Sequence, residues 1–194
     1  MKNCTIVAIA GLAFAGAANA QVIMDFQDLE STGGSFTDVG TSYSANGFTV
    51  RQGDGEPFTL KSAHTDNATF YQGSTMLFND TVDGVITLTQ DNGNPFSMAS
   101  IDIAGLFVGS GSPSFTFTGN LNGGGQVFAN YAGGNAPQTF DFTGLGFTNL
   151  DSLSWTQSSQ TAFHQFDNIT IVPAPGAFAL LGLGGLAAAR RRRA

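Results

Sequence analysis

Two aspartates near the ends of the globular part of the chain have the chemistry that most needs a partner. Asp28 follows the first apolar segment with the strand parity of Phe26, and Asp167 has the parity of Ile169 and Ile171. Because alternate residues of a strand share one face, each carboxylate extends an apolar stripe that points inward. A buried carboxylate is costly unless it is protonated, hydrogen-bonded or matched by a cation.

Several partners satisfy such carboxylates, and the sequence leaves the choice open. A hard cation such as Ca²⁺, held by carboxylate and backbone oxygens, is one solution. Backbone amides at strand ends and turns are another. Arg51 and Lys61 are the only basic side chains between residues 21 and 172. Phe166 falls on the opposite parity from Ile169, so a bulge in this strand would remove Asp167 from the inward stripe.

The two segments that carry these aspartates, MDFQDL and FHQFDNITI, resemble the terminal strands of a known class of domain. This class comprises extracellular jelly rolls of the galactose-binding or carbohydrate-binding-module kind, which often hold a structural Ca²⁺ between their first and last strands. The resemblance implies that Asp28 and Asp167 are Ca²⁺ ligands, with Asp25 in reserve. Gln27 stands where such domains often have an acidic residue, which lowers the charge of the site.

Carbohydrate binding needs exposed aromatic side chains beside polar groups. Tyr43, Tyr71 and Tyr131 lie near Gly, Ser and Asn, and we expect them to bind ligand. Trp155, the only tryptophan, shares the parity of Leu153, which predicts that it packs in the core.

Catalysis has less support in the sequence. His64 beside Asp66, and His164 near Asp167, each offer a base with an orienting acid. No serine lies in a G-x-S-x-G pattern, and no histidine cluster has zinc-ligand spacing. The paired carboxylates of a glycosidase remain an alternative in so acidic a chain. We therefore expect no enzymatic activity.

The elements that must position these residues are strands. Between residues 21 and 172, apolar and polar residues alternate with period two, as in Phe115 and Phe117 against Thr116 and Thr118. Turn-forming segments such as Asp91-Asn-Gly-Asn-Pro separate the alternating runs. The pattern predicts an all-β fold, an antiparallel β-sandwich of the jelly-roll type.

Charge is unevenly distributed along the chain. All 14 acidic residues lie between Asp25 and Asp167, where Arg51 and Lys61 are the only basic ones, so this region has a formal charge of −12. Such a field attracts cations and repels phosphates, which argues against nucleic acid as a partner.

Both ends of the sequence have the pattern of targeting segments. Residues 1–20 combine Lys2, an apolar run and Ala18-Asn-Ala20, which predicts a signal helix that is cleaved before Gln21. Residues 21–172 form the predicted sandwich domain. Residues 173–194 contain a short apolar helix that is too short to span a bilayer comfortably, followed by arginines that would stay on the cytoplasmic side.

The tail is similar to the PEP-CTERM sorting signal of bacterial exported proteins, with Ala174 in place of the usual glutamate. The similarity covers a proline motif, the apolar helix and a basic terminus, which consist of Pro173, Ala174, Pro175, Arg190, Arg191, Arg192 and Arg193. It implies transient anchoring in the inner membrane, recognition by an exosortase-type membrane protease, and transfer to the cell surface or extracellular matrix.

Together these features predict an exported, non-enzymatic protein of the bacterial surface or extracellular matrix. We expect it to bind carbohydrate, with exopolysaccharide as a partner, and a structural Ca²⁺. A polysaccharide-acting hydrolase or lyase of the envelope is one alternative, and a purely structural surface protein is another.

Overall fold

Thirteen strands and one short 3₁₀ helix make up the part of the chain that the computed structural model describes, which is residues 21–30, 36–63, 73–107, 111–158 and 162–174. The strands are β1 (Val22–Met24), β2 (Thr37–Gly40), β3 (Ser42–Ala45), β4 (Phe48–Gln52), β5 (Leu60–Ala63), β6 (Met76–Asn79), β7 (Val85–Gln90), β8 (Phe96–Gly105), β9 (Ser114–Leu121), β10 (Gln126–Ala132), β11 (Gln138–Asp141), β12 (Leu150–Thr156) and β13 (His164–Pro173). The 3₁₀ helix is Gln27–Leu29. The prediction of an all-β domain is confirmed.

The thirteen strands are hydrogen-bonded into one continuous sheet that folds into two layers, which we call sheet A and sheet B. Sheet A has the order β2-β5-β6-β13-β8-β11, with β1 paired to the second half of β13. Sheet B has the order β10-β9-β12-β7-β4-β3. The sheets meet where Leu150 of β12 pairs with Phe96 of β8, and all strand pairs are antiparallel. The chain passes from β2 to β3 at Gly40, whose φ of 94° favours glycine.

The core lies between the two sheets and follows from the alternation along the strands. In β9, Phe115 and Phe117 are buried while Ser114 and Thr116 are exposed. Trp155 of β12 is 2% exposed and packs against Phe117 and Phe166, with ring centroids 5.6 and 5.1 Å away. The prediction that this tryptophan belongs to the core is therefore confirmed.

The last strand contains a bulge that changes which residues face the core. Phe166 and Ile169 both pack in the core although they are three residues apart, and the register shifts between Asp167 and Thr170. Asn168 is the extra residue of this bulge, and its φ is 48°. The predicted shared face of Asp167 and Ile169 is therefore wrong, because Asp167 points to the outer side of sheet A.

All described residues belong to one compact unit. Pro173, the last residue of β13, pairs with Phe96 of β8. The N–H of Ala174 donates to the carbonyl of Pro95 at 3.3 Å. The folded domain thus extends beyond the predicted boundary at residue 172. The predicted signal segment 1–20 and the rest of the tail, residues 175–194, lie outside the described residues. Among those that are described, no helix is long and apolar enough to cross a membrane.

Candidate functional site

Asp167 is the most unusual carboxylate in the described part of the domain. It is 1% exposed, and its Oδ2 accepts a hydrogen bond from the Ser74 hydroxyl, which in turn accepts one from Gln27 Nε2 at 2.6 Å. Its Oδ1 is buried without a partner. Burial raises the pKa of Asp167 to about 6, and the nearby charges of Asp102 and Asp25 act in the same direction.

Asp28 does not extend the inward stripe that its parity predicts. Strand β1 ends at Met24, and the 3₁₀ helix that follows turns Asp28 to the exposed surface. There its Oδ1 accepts a hydrogen bond of 2.7 Å from the Tyr43 hydroxyl, which also lies 3.4 Å from the carbonyl oxygen of Asp25. Burial and the bond to Asp28 raise the pKa of Tyr43 well above its usual value.

The donors that the sequence assigns to Ca²⁺ come together only in part. Asp25 is close enough to raise the pKa of Asp167, whereas Asp28 is bound to Tyr43. No three His, Cys, Asp or Glu side chains cluster closely enough to hold a metal ion within the described ranges. The free Oδ1 of Asp167 is a hard oxygen of the kind that Ca²⁺ binds, and a cation there would remove the cost of burying it.

The tyrosines predicted to bind ligand lie in different environments. Tyr131 is 3% exposed and stacks on Phe115 at 5.1 Å, so it is a core residue rather than an exposed platform. Tyr43 is half-buried and packs edge-on against Phe26 at 5.1 Å. Tyr71 lies outside the described residues.

His164 is a buried structural residue. Its Nε2 accepts a hydrogen bond from Trp155 Nε1 at 3.2 Å, its Nδ1 lies 3.1 Å from Ser158 Oγ, and its ring stacks on Phe115 at 4.3 Å. Burial lowers the pKa of His164 to about 3, which keeps the imidazole neutral. His164 and Asp167 are three residues apart in the regular part of β13, before the bulge, so alternation places their side chains on opposite faces of the sheet. The predicted pairing of this base with that acid is therefore wrong. His64 and Asp66 lie outside the described residues.

The outer face of sheet B, which we call the polar face, presents a continuous row of side chains that the sequence did not reveal. Successive cross-strand partners form this row from one edge of the sheet to the other, and they are Phe128, Thr118, Ser154, Thr87, Arg51 and Ser42. Phe128 is 60% exposed at the β10 edge. A second set of partners runs beside it and comprises Gln126, Asn120 and Ser152 on one side and Thr89, Thr49 and Ser44 on the other.

The two rows differ in how their polar groups are satisfied. In the second row Gln126 donates to Asn120, and Asn120 to Ser152, each at 2.8 Å. In the first row, among the residues that the structure describes, no side-chain hydrogen bond occupies the hydroxyl of Thr87 or Thr118. Ser154, between them, donates to the carbonyl oxygen of Thr118 at 3.5 Å. The two threonine hydroxyls can therefore bind a ligand without breaking a side-chain hydrogen bond of the fold.

A pocket of about 330 Å³ opens at the Arg51 end of this row. Its walls are Thr41, Ser42, Arg51, Gln52, Gly53, Asp54, Gly55 and Glu56. Glu56 is already occupied, because its oxygens accept from the N–H groups of Gly53 and Val85 and from Asn79 Nδ2. Arg51 is exposed, and the one ion pair within the described residues joins Lys61 and Asp80 at 2.6 Å.

The sequence indicates which hydroxyl side chains point outward from each strand, but not that strand pairing brings them into one row. Thr87 and Thr89, like Thr116 and Thr118, are spaced so that both hydroxyls of each pair point outward. That spacing was sufficient to predict strands. It does not reveal which strands are neighbours or their register, and these decide whether separate hydroxyls form one row.

Comparison with solved structures finds distant similarities, among them two carbohydrate-binding modules. The family 11 carbohydrate-binding module of a cellulosomal cellulase of Clostridium thermocellum shares 13% identity and a TM-score of 0.37, over 72% of this chain and 95% of that one. A mutant of a family 29 carbohydrate-binding module, studied for its mechanism of ligand recognition, shares 11% identity and a TM-score of 0.43, over 72% and 91%. No protein-family model and no curated protein matches the sequence.

Proposed function

We propose that this domain is a non-catalytic module that binds polysaccharide on the polar face of sheet B. The observation that carries the proposal is a pair of threonine hydroxyls, of Thr118 and Thr87, between the exposed ring of Phe128 and the guanidinium of Arg51. Within the described residues neither hydroxyl makes a side-chain hydrogen bond. Neutral sugars present hydroxyl groups that both donate and accept hydrogen bonds. Ser and Thr hydroxyls match them because they also do both.

The size and shape of the row suit an extended chain of sugars. Six strands at a spacing of about 4.8 Å place its ends roughly 24 Å apart. Phe128 supplies an exposed apolar ring on which the C–H face of a sugar can pack. Apart from Arg51, the row is uncharged, so binding does not require the desolvation of a series of charges.

Substitution of the exposed aromatic ring tests this proposal. We expect Phe128→Ala to weaken binding to a soluble neutral polysaccharide by about tenfold, or ~1.4 kcal/mol, measured by affinity electrophoresis on a panel of glycans. Phe58→Ala is the matched control, because Phe58 is 55% exposed but is not part of the row. Equal losses in both variants, or no binding by the unmodified protein, would contradict the proposal.

We also propose that the protein is exported and sorted by its tail. The signal-peptide pattern of residues 1–20 and the proline, apolar and arginine order of residues 173–194 support this. In a bacterium with an exosortase-type protease, mass spectrometry of the surface fraction should find a chain that begins at Gln21 and lacks the arginines. Replacing all four arginines with glutamine should leave the tail attached, and an unchanged product would refute the role of the tail.

A structural Ca²⁺ at Asp167 is a second proposal, and the buried free Oδ1 of that residue favours it. On the first segment, Asp25, whose charge acts on Asp167, and Gln27, whose side chain donates to Ser74, could complete the site. In millimolar CaCl₂ we expect a higher melting temperature than in NaCl of equal ionic strength. The increase should disappear with chelator and in Asp167→Asn, and equal melting temperatures in both salts would exclude the site.

A further inference from the structure

Arg51 is an uncommon feature of this domain because it is a cation without a counterion in a strongly acidic environment. Residues 21–172 contain 14 acidic and only two basic side chains. The other basic residue, Lys61, pairs with Asp80 at 2.6 Å. Within the described ranges no carboxylate lies within ion-pair distance of Arg51, although Asp54 and Glu56 line the same pocket.

The local contacts explain why Arg51 stays free. The Glu56 carboxylate is held by two backbone N–H groups and by Asn79. Strand alternation places Arg51 on the polar face, opposite Thr87 and Ser42, while its neighbours Val50 and Gln52 face inward.

We propose that the Arg51 pocket binds the carboxylate of an acidic sugar, a uronic acid residue, within a glycan that lies along the polar face. This inference rests on the proposed function and names its ligand class. A guanidinium binds a carboxylate through two parallel hydrogen bonds, which a neutral sugar cannot form. The volume of about 330 Å³ lies at the lower end of the range for small-molecule pockets, about 300–1,000 Å³, and suits one sugar ring.

The charge of the whole domain limits which acidic glycans fit. A formal charge of −12 repels a densely charged polyanion, whereas a glycan with single, widely spaced carboxylates approaches with little repulsion beyond the Debye length of about 8 Å. Asp54, also in the pocket wall, is an acceptor for the hydroxyls of the same ring and disfavours a second carboxylate. The pocket therefore selects one acidic sugar among neutral neighbours.

The test uses monosaccharides, so that it does not depend on the identity of the polysaccharide. Methyl glucuronide, methyl glucoside and acetate are titrated into the full-length ¹⁵N-labelled protein and followed by NMR. We expect methyl glucuronide to shift the Arg51 Nε–H and the amides of Thr41 and Ser42. Methyl glucoside and acetate should bind at least tenfold more weakly, because the glucoside lacks the carboxylate and acetate lacks the sugar ring.

Two variants make the result specific. Arg51→Gln should weaken methyl glucuronide binding at least tenfold, whereas Lys61→Gln, which removes the same charge elsewhere, should leave it unchanged. Acetate binding as strong as glucuronide binding, or equal losses in both variants, would overturn the inference. If the glucuronide binds at Arg51 while Phe128→Ala has no effect on polysaccharide binding, the pocket stands and the polar-face proposal fails.

Discussion

Asp167 shows how a single buried group can dominate the pH response of a fold. The unfolded carboxyl has its ordinary pKa of 3.8, whereas burial beside Asp102 and Asp25 raises the folded pKa to about 6. The folded state thus binds more protons between these values. The carboxyl therefore destabilises the fold progressively as the pH rises from about 4 to 6, and its cost is complete above pH 6.

Replacing this carboxyl with a neutral amide tests the assignment. In buffer with chelator, we expect Asp167→Asn to be more stable than the unmodified protein by roughly 2–3 kcal/mol at pH 7.5, with the difference vanishing near pH 4. Urea unfolding at several pH values measures it. Asp151→Asn is the control, because it removes the same charge from an exposed carboxylate that does not act on Asp167, so its effect on stability should not follow the same change with pH. A difference that does not change with pH would show that Asp167 is not the titrating group.

His164 makes the opposite contribution to stability. Its folded pKa of about 3 lies below the ordinary 6.5, so the unfolded state binds more protons between these values. We expect its stabilising effect to be complete above pH 6.5 and to fall as the pH approaches 3. In His64→Gln, which leaves a single imidazole signal, NMR should show no titration of His164 between pH 8 and 4. A midpoint near 6.5 would mean that the ring is not buried.

At the scale of the element, strand β13 shows where sequence periodicity is reliable and where it fails. Alternation correctly predicted the buried faces of β7 and β9, because those strands are regular and their polar partners reach solvent. Alternation failed in β13, because Asn168 has a positive φ and adds one residue to the strand. The side chains before Asn168 therefore face the opposite side of the sheet from the one that counting back from Ile169 predicts. An Asn tolerates that conformation, but nothing in the sequence requires it at this position.

The bulge can be tested by two substitutions at the same residue. Asn168→Ala loses the hydrogen bond to Asp102 and also places a Cβ in a left-handed conformation, so we expect it to destabilise the domain by about 2 kcal/mol. Asn168→Gly loses the same hydrogen bond but accepts the conformation, so we expect it to cost about 1 kcal/mol less. Urea unfolding gives both values. A glycine variant less stable than the alanine variant would contradict the positive φ.

The candidate sites depend on register more than on residue type. Sequence spacing drew attention to Asp25, Asp28 and Asp167, but β1 is short, and the helical turn after it exposes Asp28. The polar face depends on pairings between residues far apart in sequence, such as Thr87 with Arg51. Parity within a strand is local information, whereas neighbouring strands and their register depend on the packing of the whole sandwich.

At the scale of the molecule, the low number of charged residues conceals a strong imbalance. Charged residues make up only 11% of the chain, yet residues 21–172 carry a formal charge of −12. Self-repulsion of this kind destabilises the compact state, because unfolding lets the charges move apart. The same field concentrates cations around the domain and makes a lone exposed arginine a conspicuous local exception.

The charge imbalance predicts a dependence of stability on salt. We expect the melting temperature at pH 7.5 to rise as NaCl increases from 10 to 150 mM in chelator, since the Debye length falls from about 30 Å to about 8 Å. Glu30→Lys, which changes the charge of residues 21–172 by two units, should raise the melting temperature in low salt and reduce the salt effect, because Glu30 is exposed. Glu30→Asp keeps the charge and should behave as the unmodified protein does. A melting temperature independent of salt would mean that repulsion among the carboxylates is already neutralised by bound ions.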